Sequence, residues 1–265
     1  MQSTRSLTPV CDDVWIATSR HYQTASTIIA RAGRALLVDP AWDVDELEAL
    51  AVSVASLGLK VACGFHTHAH FDHLLWHPSL GVDVPRWAGA QTCEYAKDER
   101  EELLKQLGPE LKAAVGELFA DVRPLATSTI PLPFGDGAPH EEMAVIEHDG
   151  HAEGHCALWL PERGLLVAGD MLSDLELPLA FNPGGIESYL EALDRLEHYV
   201  ELADYLVTGH GTPTDKPRQR LDADRRLLNA LLDGREVDDA RRASPGGEEA
   251  YQQLKSLAAL HRAAT

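Results

Sequence analysis

Residues 66–73 read HTHAHFDH, four histidines and one aspartate in eight positions. Imidazole and carboxylate groups are donors that a borderline divalent cation such as zinc accepts. In an extended or loop segment residues i and i+2 project to the same side, so His68 and His70 can reach one ion. If the chain then turns into a helix, as DHLLW suggests, Asp72 and His73 face a second ion side by side. This register, H-x-H-x-D-H, uses the acid. Starting from His66 gives H-x-H-x-H and leaves Asp72 and His73 without roles. Further donors stand beside apolar runs: DGHAEGH (149–155) has a histidine behind a glycine, VAGDM (167–171) ends a run at Asp170, and VTGHG (207–211) ends another at His210. Two cations sharing a water lower its pKa from 15.7 toward ~7 and so supply hydroxide at neutral pH. Metal-dependent hydrolysis is the chemistry these residues suit, and no serine stands in a G-x-S-x-G context to offer another nucleophile.

The elements that must position these donors read as alternating strands and helices. VWIAT (14–18), STIIAR (26–31) and ALLVD (35–39) are strand-like runs, and Asp43 with Glu46 resembles a capping box opening a helix through about Leu57. LKVACGF (59–65) is a buried-type strand that leads straight into the histidine cluster. Residues 89–120 are charged and helix-rich, read either as an insertion covering the site or as ordinary surface helices. PLPFGDGAPH (131–140) reads as a turn region. Strands are expected again at 143–149, 156–161, 164–170 and 204–211. Ser188 and Glu191 form a second capping-box pattern, before a helix with Leu190, Leu193, Leu196 and Val200 on one face. The tail from Asp215 is helical by pattern, at Leu227, Leu228, Leu231 and Leu232, with SPGG (244–247) interrupting it. One domain spanning residues 1–265, with a helical insertion at about 89–120 and a helical tail at about 215–265, is the economical reading.

Bulk properties narrow the partners. A chain of 265 residues with 45% hydrophobic content can bury a full core. Its net charge of −19 repels phosphate backbones and anionic membranes, so neither nucleic acid nor membrane is expected as a partner. The four cysteines are scattered, and neither a secretory signal nor an apolar run of ~18 residues is evident, which points to a soluble cytoplasmic protein. The 89–120 segment and the tail offer helical surfaces for a homo-oligomer.

Taken together, T-H-x-H-x-D-H (Thr67–His73), G-H-x-x-G-H (Gly150–His155), G-D (Gly169-Asp170) and G-H-G (Gly209–Gly211) resemble the metallo-β-lactamase superfamily. The match runs in order from LLVDPA (36–41) to Gly211. It implies an α/β fold, a four-layer αββα sandwich with a metal site at the sheet edges. It further implies His68, His70 and His151 on a first metal, Asp72, His73 and His210 on a second, and Asp170 bridging both. The expected cofactors are two zinc ions per chain, with iron or manganese as substitutes. Asp72 would also orient the nucleophile or shuttle its proton. In metallo-β-lactamases proper no aspartate bridges the metals, so this ligand set looks more like glyoxalase II, lactonases and related esterases. The tail shows no recognisable glutathione-binding pattern.

The expected reaction is therefore attack of a metal-bridging hydroxide on the carbonyl of a small-molecule ester, thioester or lactone. The alternatives are an iron-dependent persulfide dioxygenase, a β-lactam or phosphodiester hydrolase, and a non-catalytic metal-binding protein. Around the ligands, Asp39 is read either as a partner of a ligand histidine or as a turn residue before Pro40. Thr67 is a supporting residue and His155 a structural neighbour. His21 and Tyr22, in a polar loop, are candidate substrate contacts, as are Trp76 and His77, which stand where many relatives have small residues. His66, His140, His148, His198 and His261 are read as surface or strand-edge residues.

Overall fold

The computed structural model describes residues 5–130, 141–180, 182 and 184–264. The turn region expected at 131–140, with His140, lies outside the described residues. Two mixed sheets form the interior. The first runs in spatial order β1 (Thr8–Cys11), β2 (Val14–Thr18), β3 (Ala25–Arg31), β4 (Arg34–Val38), β5 (Lys60–His66), β6 (Arg86–Ala88) and β7 (Arg123–Pro124). β1 to β4 pair antiparallel, whereas β4 to β7 are parallel. The second sheet comprises β8 (Thr129–Ile130), β9 (Met143–His148), β10 (His155–Leu160), β11 (Leu165–Val167) and β12 (Tyr205–Val207), with only β11 and β12 parallel.

Parallel neighbours need a long crossover, and helices supply it. Helix α1 (Val44–Ser56) joins β4 to β5. Helices α2 (Ala90–Asp98), α3 (Arg100–Gln106) and α4 (Pro109–Val115) join β6 to β7, and α5 (Gly185–Leu202) joins β11 to β12. The chain ends in α6 (Pro217–Leu232) and α7 (Gly247–Ala264).

Strand alternation sorts the side chains into three apolar layers. Ile29 and Leu36 face inward with Val38 and Phe65, against Met143, Leu158 and Val167 of the second sheet. Their chain neighbours Ile28 and Leu37 face outward, onto Leu47 and Leu50 of α1 and Leu103 and Leu111 of α3 and α4. On the far side Trp159, Leu166 and Leu206 pack beneath Leu193 and Leu196 of α5, Leu227 of α6 and Leu254 of α7. The result is the expected αββα sandwich. The helices at 90–115 thus belong to the outer layer over the first sheet, and the tail helices complete the opposite one.

Several local expectations need correction. Asp43 occupies the N-cap of α1 but caps nothing, because its carboxylate pairs with Arg20 (2.6 Å) and His21 (2.9 Å). Glu46 turns instead to Ser19 Oγ (2.6 Å) and the Arg20 N–H (3.0 Å). α5 starts at Gly185 with Gly184 as its N-cap, so Ser188 lies inside the first turn and forms no capping box. No helix follows the histidine cluster, where residues 71–73 make a turn and a short 3-10 helix waits until Pro78–Leu80. The strands expected at 164–170 and 204–211 stop at Val167 and Val207. Beyond those points the backbone turns to deliver its donors. Among the described residues no helix is long and apolar enough to cross a membrane.

Candidate metal centre

Every donor singled out in the sequence sits just past a strand end at one edge of the sandwich. The turn after β5 carries His68, His70, Asp72 and His73, and the β9–β10 connection carries His151. Asp170 follows β11 and His210 follows β12. The two sheets meet there: Thr24 at the start of β3 bridges to His210, and the Ala25 N–H donates to the Gly209 carbonyl at 2.7 Å.

The donors converge as two groups. His68, His70, His151 and Asp170 place one donor atom each within 4.8 Å of one another, and so do Asp72, His73 and His210. His70 Nδ1 lies 3.0 Å from both His68 Nε2 and His151 Nε2, and His73 Nε2 lies 3.3 Å from His210 Nε2. Two nitrogens at 2.0–2.1 Å from a tetrahedral zinc ion stand about 3.3 Å apart, so the spacing fits a shared cation. The Asp170 carboxylate stands between the groups. Its Oδ2 is 3.4 Å from His68 Nε2, 3.5 Å from His151 Nε2 and 3.3 Å from His210 Nε2, while Oδ1 is 3.2 Å from His73 Nε2. Asp72 Oδ2 is 3.4 Å from both His73 Nε2 and His210 Nε2. Asp170 Oδ1 is buried and takes no hydrogen bond within the described residues. A donor set of imidazoles and carboxylates, all buried but the exposed His70, suits a divalent cation in each group.

Outer partners fix which nitrogen faces inward for His73, His68 and His210. Asp39, 2% exposed, accepts from the Thr67 N–H (2.8 Å) and Thr67 hydroxyl (2.6 Å) and meets His73 Nδ1 at 2.9 Å. Asp39 thus meets one of the cluster histidines directly. His68 Nδ1 meets the Thr67 hydroxyl at 3.0 Å, and His210 Nδ1 meets the Tyr22 carbonyl at 3.0 Å. In each case Nδ1 donates and the Nε2 lone pair is left for a cation. His155 accepts the Asp170 N–H at Nε2 (3.1 Å) and lies stacked between His148 and His68.

Two glycines are required by close approach. A Cβ on Gly209 would stand 1.9 Å from Asp170 Oδ1, and one on Gly169 (φ +54°) would stand 2.5 Å from His155. Gly209→Ala is therefore expected to displace the Asp170 carboxylate and lower zinc affinity by at least about tenfold, measured by competition with a chromogenic chelator. An unchanged affinity would refute this account of the motif.

The two groups differ electrically. Burial, with His73 beside the first and His70 beside the second, pushes His68 well down and His151 to about 3, so both are neutral at pH 7. Burial also opposes charge on His73 and His210, yet Asp170 and Asp72 outweigh it and raise both well above 6.5. Burial alone would raise Asp72 and Asp170, but His73 and His210 hold both carboxyls low. In the metal-free protein the two carboxylates thus favour protonation of the His73–His210 pair, whose Nε2 atoms face each other at 3.3 Å. Their contribution to that fold is complete below about pH 6.5 and is lost as pH rises through their raised values. A cation must displace these protons. Zinc uptake at pH 7 in weak buffer should release protons from this group, and affinity at this group should rise with pH. Uptake without proton release would contradict the assignment.

The sequence profile of the Metallo-beta-lactamase superfamily matches residues 20–210. The chain belongs to the metallo-β-lactamase superfamily. Solved structures share its fold at low identity. A metallo-beta-lactamase family protein from Thermus thermophilus is 19% identical, with a TM-score of 0.66 over 95% of this chain and 94% of that one. A beta-lactamase domain protein from Burkholderia ambifaria is 18% identical, with a TM-score of 0.65 over 99% and 91%. A metallo-beta-lactamase from Pontibacter korlensis is 22% identical, with a TM-score of 0.57 over 82% and 95%. No curated protein gives a significant match. The superfamily consists mostly of metal-dependent hydrolases that bind divalent metals, usually zinc.

On this metallo-β-lactamase scaffold the remaining expected residues divide. Trp76 is fully buried, packs on Gly64 and edge-on to His66, and donates to the Gly81 carbonyl at 2.9 Å, so it supports the cluster from behind and meets no substrate. His77 is buried at the N-cap of the 3-10 helix, where Nδ1 accepts from the Ser79 N–H. It too is structural. His66 and His148 are not surface residues: His66 is fully buried, with Nδ1 on the His73 carbonyl, and His148 is 4% exposed. His198 is exposed, and His261 is half-buried beside Glu187. His21 and Tyr22 lean on Trp42, which meets Phe71 edge-on, forming an aromatic rim beside the second group.

A cavity of about 390 Å³ opens beside His70 and His151, walled by Ala69, Ala152, Leu179 and Tyr95 and edged by Glu153 and Asn182. Tyr95, on α2, is the contribution of the 89–120 segment. Glu153, at a variable position of the G-H-x-x-G-H motif, and Leu179, Asn182 and Glu176, outside any motif, were not among the expected site residues. The Glu176 carboxylate lies within 4.8 Å of donor atoms of Asp170 and His210. Burial, against the pull of His210, raises it to about 7, with Asp170 and Asp72 adding to the rise.

Proposed function

We propose that the chain is a two-zinc hydrolase acting on a small-molecule ester, thioester or lactone, with a ligand set of the glyoxalase II and lactonase kind. The observation that carries this reading is Asp170, a single buried carboxylate reaching nitrogens of both donor groups. Zinc in both groups would supply Lewis acidity, which ionises water at neutral pH and polarises a carbonyl. The remaining work belongs to side chains. Asp72, facing His73 and His210, orients the attacking water and takes up its proton. Asp39 and Thr67 keep His73 and His68 in the ligating tautomer. The cavity is of a size that suits a small molecule. All four cysteines are free, which supports a reducing, cytoplasmic setting.

The test is zinc loading, metal analysis, and a panel of ester, thioester, lactone, β-lactam and phosphodiester substrates. Two zinc ions per chain and turnover of a carbonyl substrate are expected. One iron per chain with oxygen uptake on a persulfide would replace the reading with an oxygenase. Two bound metals without turnover across the panel would sink the enzymatic reading.

A further inference from the structure

We infer that the cavity beside the metal centre selects a substrate bearing a positively charged amine on an apolar body, an inference resting on the hydrolase reading above. A carboxylate tail is held most firmly by a lysine or arginine, whereas the free donors lining this cavity are neutral ones, the outward ring nitrogen of exposed His70 and the Tyr95 hydroxyl. Among the described residues no lysine or arginine lines this cavity. Asn182, the one amide there, has both its donors taken, by the Asp149 carbonyl at 2.6 Å and the Gly150 carbonyl at 2.8 Å, and its oxygen accepts from the Gly185 N–H. The aromatic rim is no better supplied, because the guanidinium of Arg20 is tied to Asp43 and Asp45.

What the cavity does offer is recognition chemistry for a cation. Glu153 is exposed at its edge, and its carboxylate has no ion pair or hydrogen bond among the described residues. Tyr95, 45% exposed, lines the same cavity and brings an aromatic ring that attracts an ammonium. Ala69, Ala152 and Leu179 take the apolar body. At the centre itself Asp72 and Asp170 would offset only half the charge of two zinc ions, so a cation is held at the outer edge, where Glu153 is the one carboxylate lining the cavity among the described residues. The net charge of −19 draws cations toward the protein and repels anions.

Zinc-loaded full-length protein is assayed on p-nitrophenyl esters of hexanoate, aminohexanoate and adipate, whose chains are neutral, cationic and anionic. The aminohexanoate ester should exceed the adipate ester in kcat/KM by about fivefold, through KM, with the gap narrowing as salt rises. Glu153→Gln should bring the ratio to within about twofold, and Glu153→Lys should invert it. Turnover of all three esters without charge preference, or a preference untouched in Glu153→Gln, overturns the selectivity and leaves the hydrolase reading standing. Calorimetry with phenyltrimethylammonium and benzenesulfonate reads the same preference without turnover. Tighter binding of the cation, lost in Glu153→Gln, upholds the inference even if no ester is hydrolysed, and equal or reversed affinity overturns it.

Discussion

Asp170→Asn protein is expected to hold at most one zinc ion per chain and to lose at least ~10³-fold in kcat/KM. The substitution keeps shape and volume and removes only the charge that both donor groups share. Without it three neutral imidazoles face the first cation and Asp72 alone neutralises the second. The metal-free fold responds differently. There the Asp170 carboxylate is buried, orphaned at Oδ1, and kept ionised by His210 and His73. Its loss lets those histidines discharge, so the metal-free variant should unfold within about 1 kcal/mol of wild type. The zinc-dependent gain in stability should shrink instead, by about 2.7 kcal/mol for each hundredfold loss in affinity. Metal analysis and urea unfolding with and without zinc separate the two effects. Full activity with two bound zinc ions would remove Asp170 from the bridging role.

The parts of the site legible in the sequence were those set by short-range geometry. His68 and His70 stand two apart in the bend that follows β5, and Asp170 and His210 each follow an apolar run, so close spacing and strand termination expose them. Local competition hid other features. Asp43 and Glu46 have the spacing of a capping box, but Arg20 and Ser19, far off in sequence, take their carboxylates. The helix expected after the cluster fails because Leu74, Leu75 and Trp76 are all fully buried, a continuous run rather than one apolar face. His148 looks like a surface or strand-edge residue until pairing of β9 with β10 sets it opposite His155, the expected structural neighbour, and stacks both rings toward His68. The cavity was illegible for a simpler reason. Ala69, Tyr95, Glu153 and Leu179 come from four separate segments, and nothing local marks any of them as a wall.

The same long-range logic gives the tail a part in the site. Arg241, 7% exposed, pairs with buried Asp224 at 2.5 Å and donates to the carbonyls of Ser173 (3.0 Å) and Glu176 (3.1 Å). Ser173 in turn donates its hydroxyl to the His210 carbonyl at 2.8 Å and accepts from the N–H groups of Leu175 and Glu176. One guanidinium thus ties the segment after Asp170 to the turn that carries His210. Arg241→Met should destabilise the protein by about 3–5 kcal/mol, because Asp224 is left buried without its cation. Adding Asp224→Leu removes that stranded charge and should restore most of the stability, read by urea unfolding. It cannot restore the two bonds to the Ser173 and Glu176 carbonyls. The double variant is therefore expected to fold well and still bind zinc about tenfold or more weakly than wild type. Wild-type zinc affinity in the stable double variant would reduce the tail to packing, whereas weak binding in a well-folded protein would place Arg241 in the support of the metal centre.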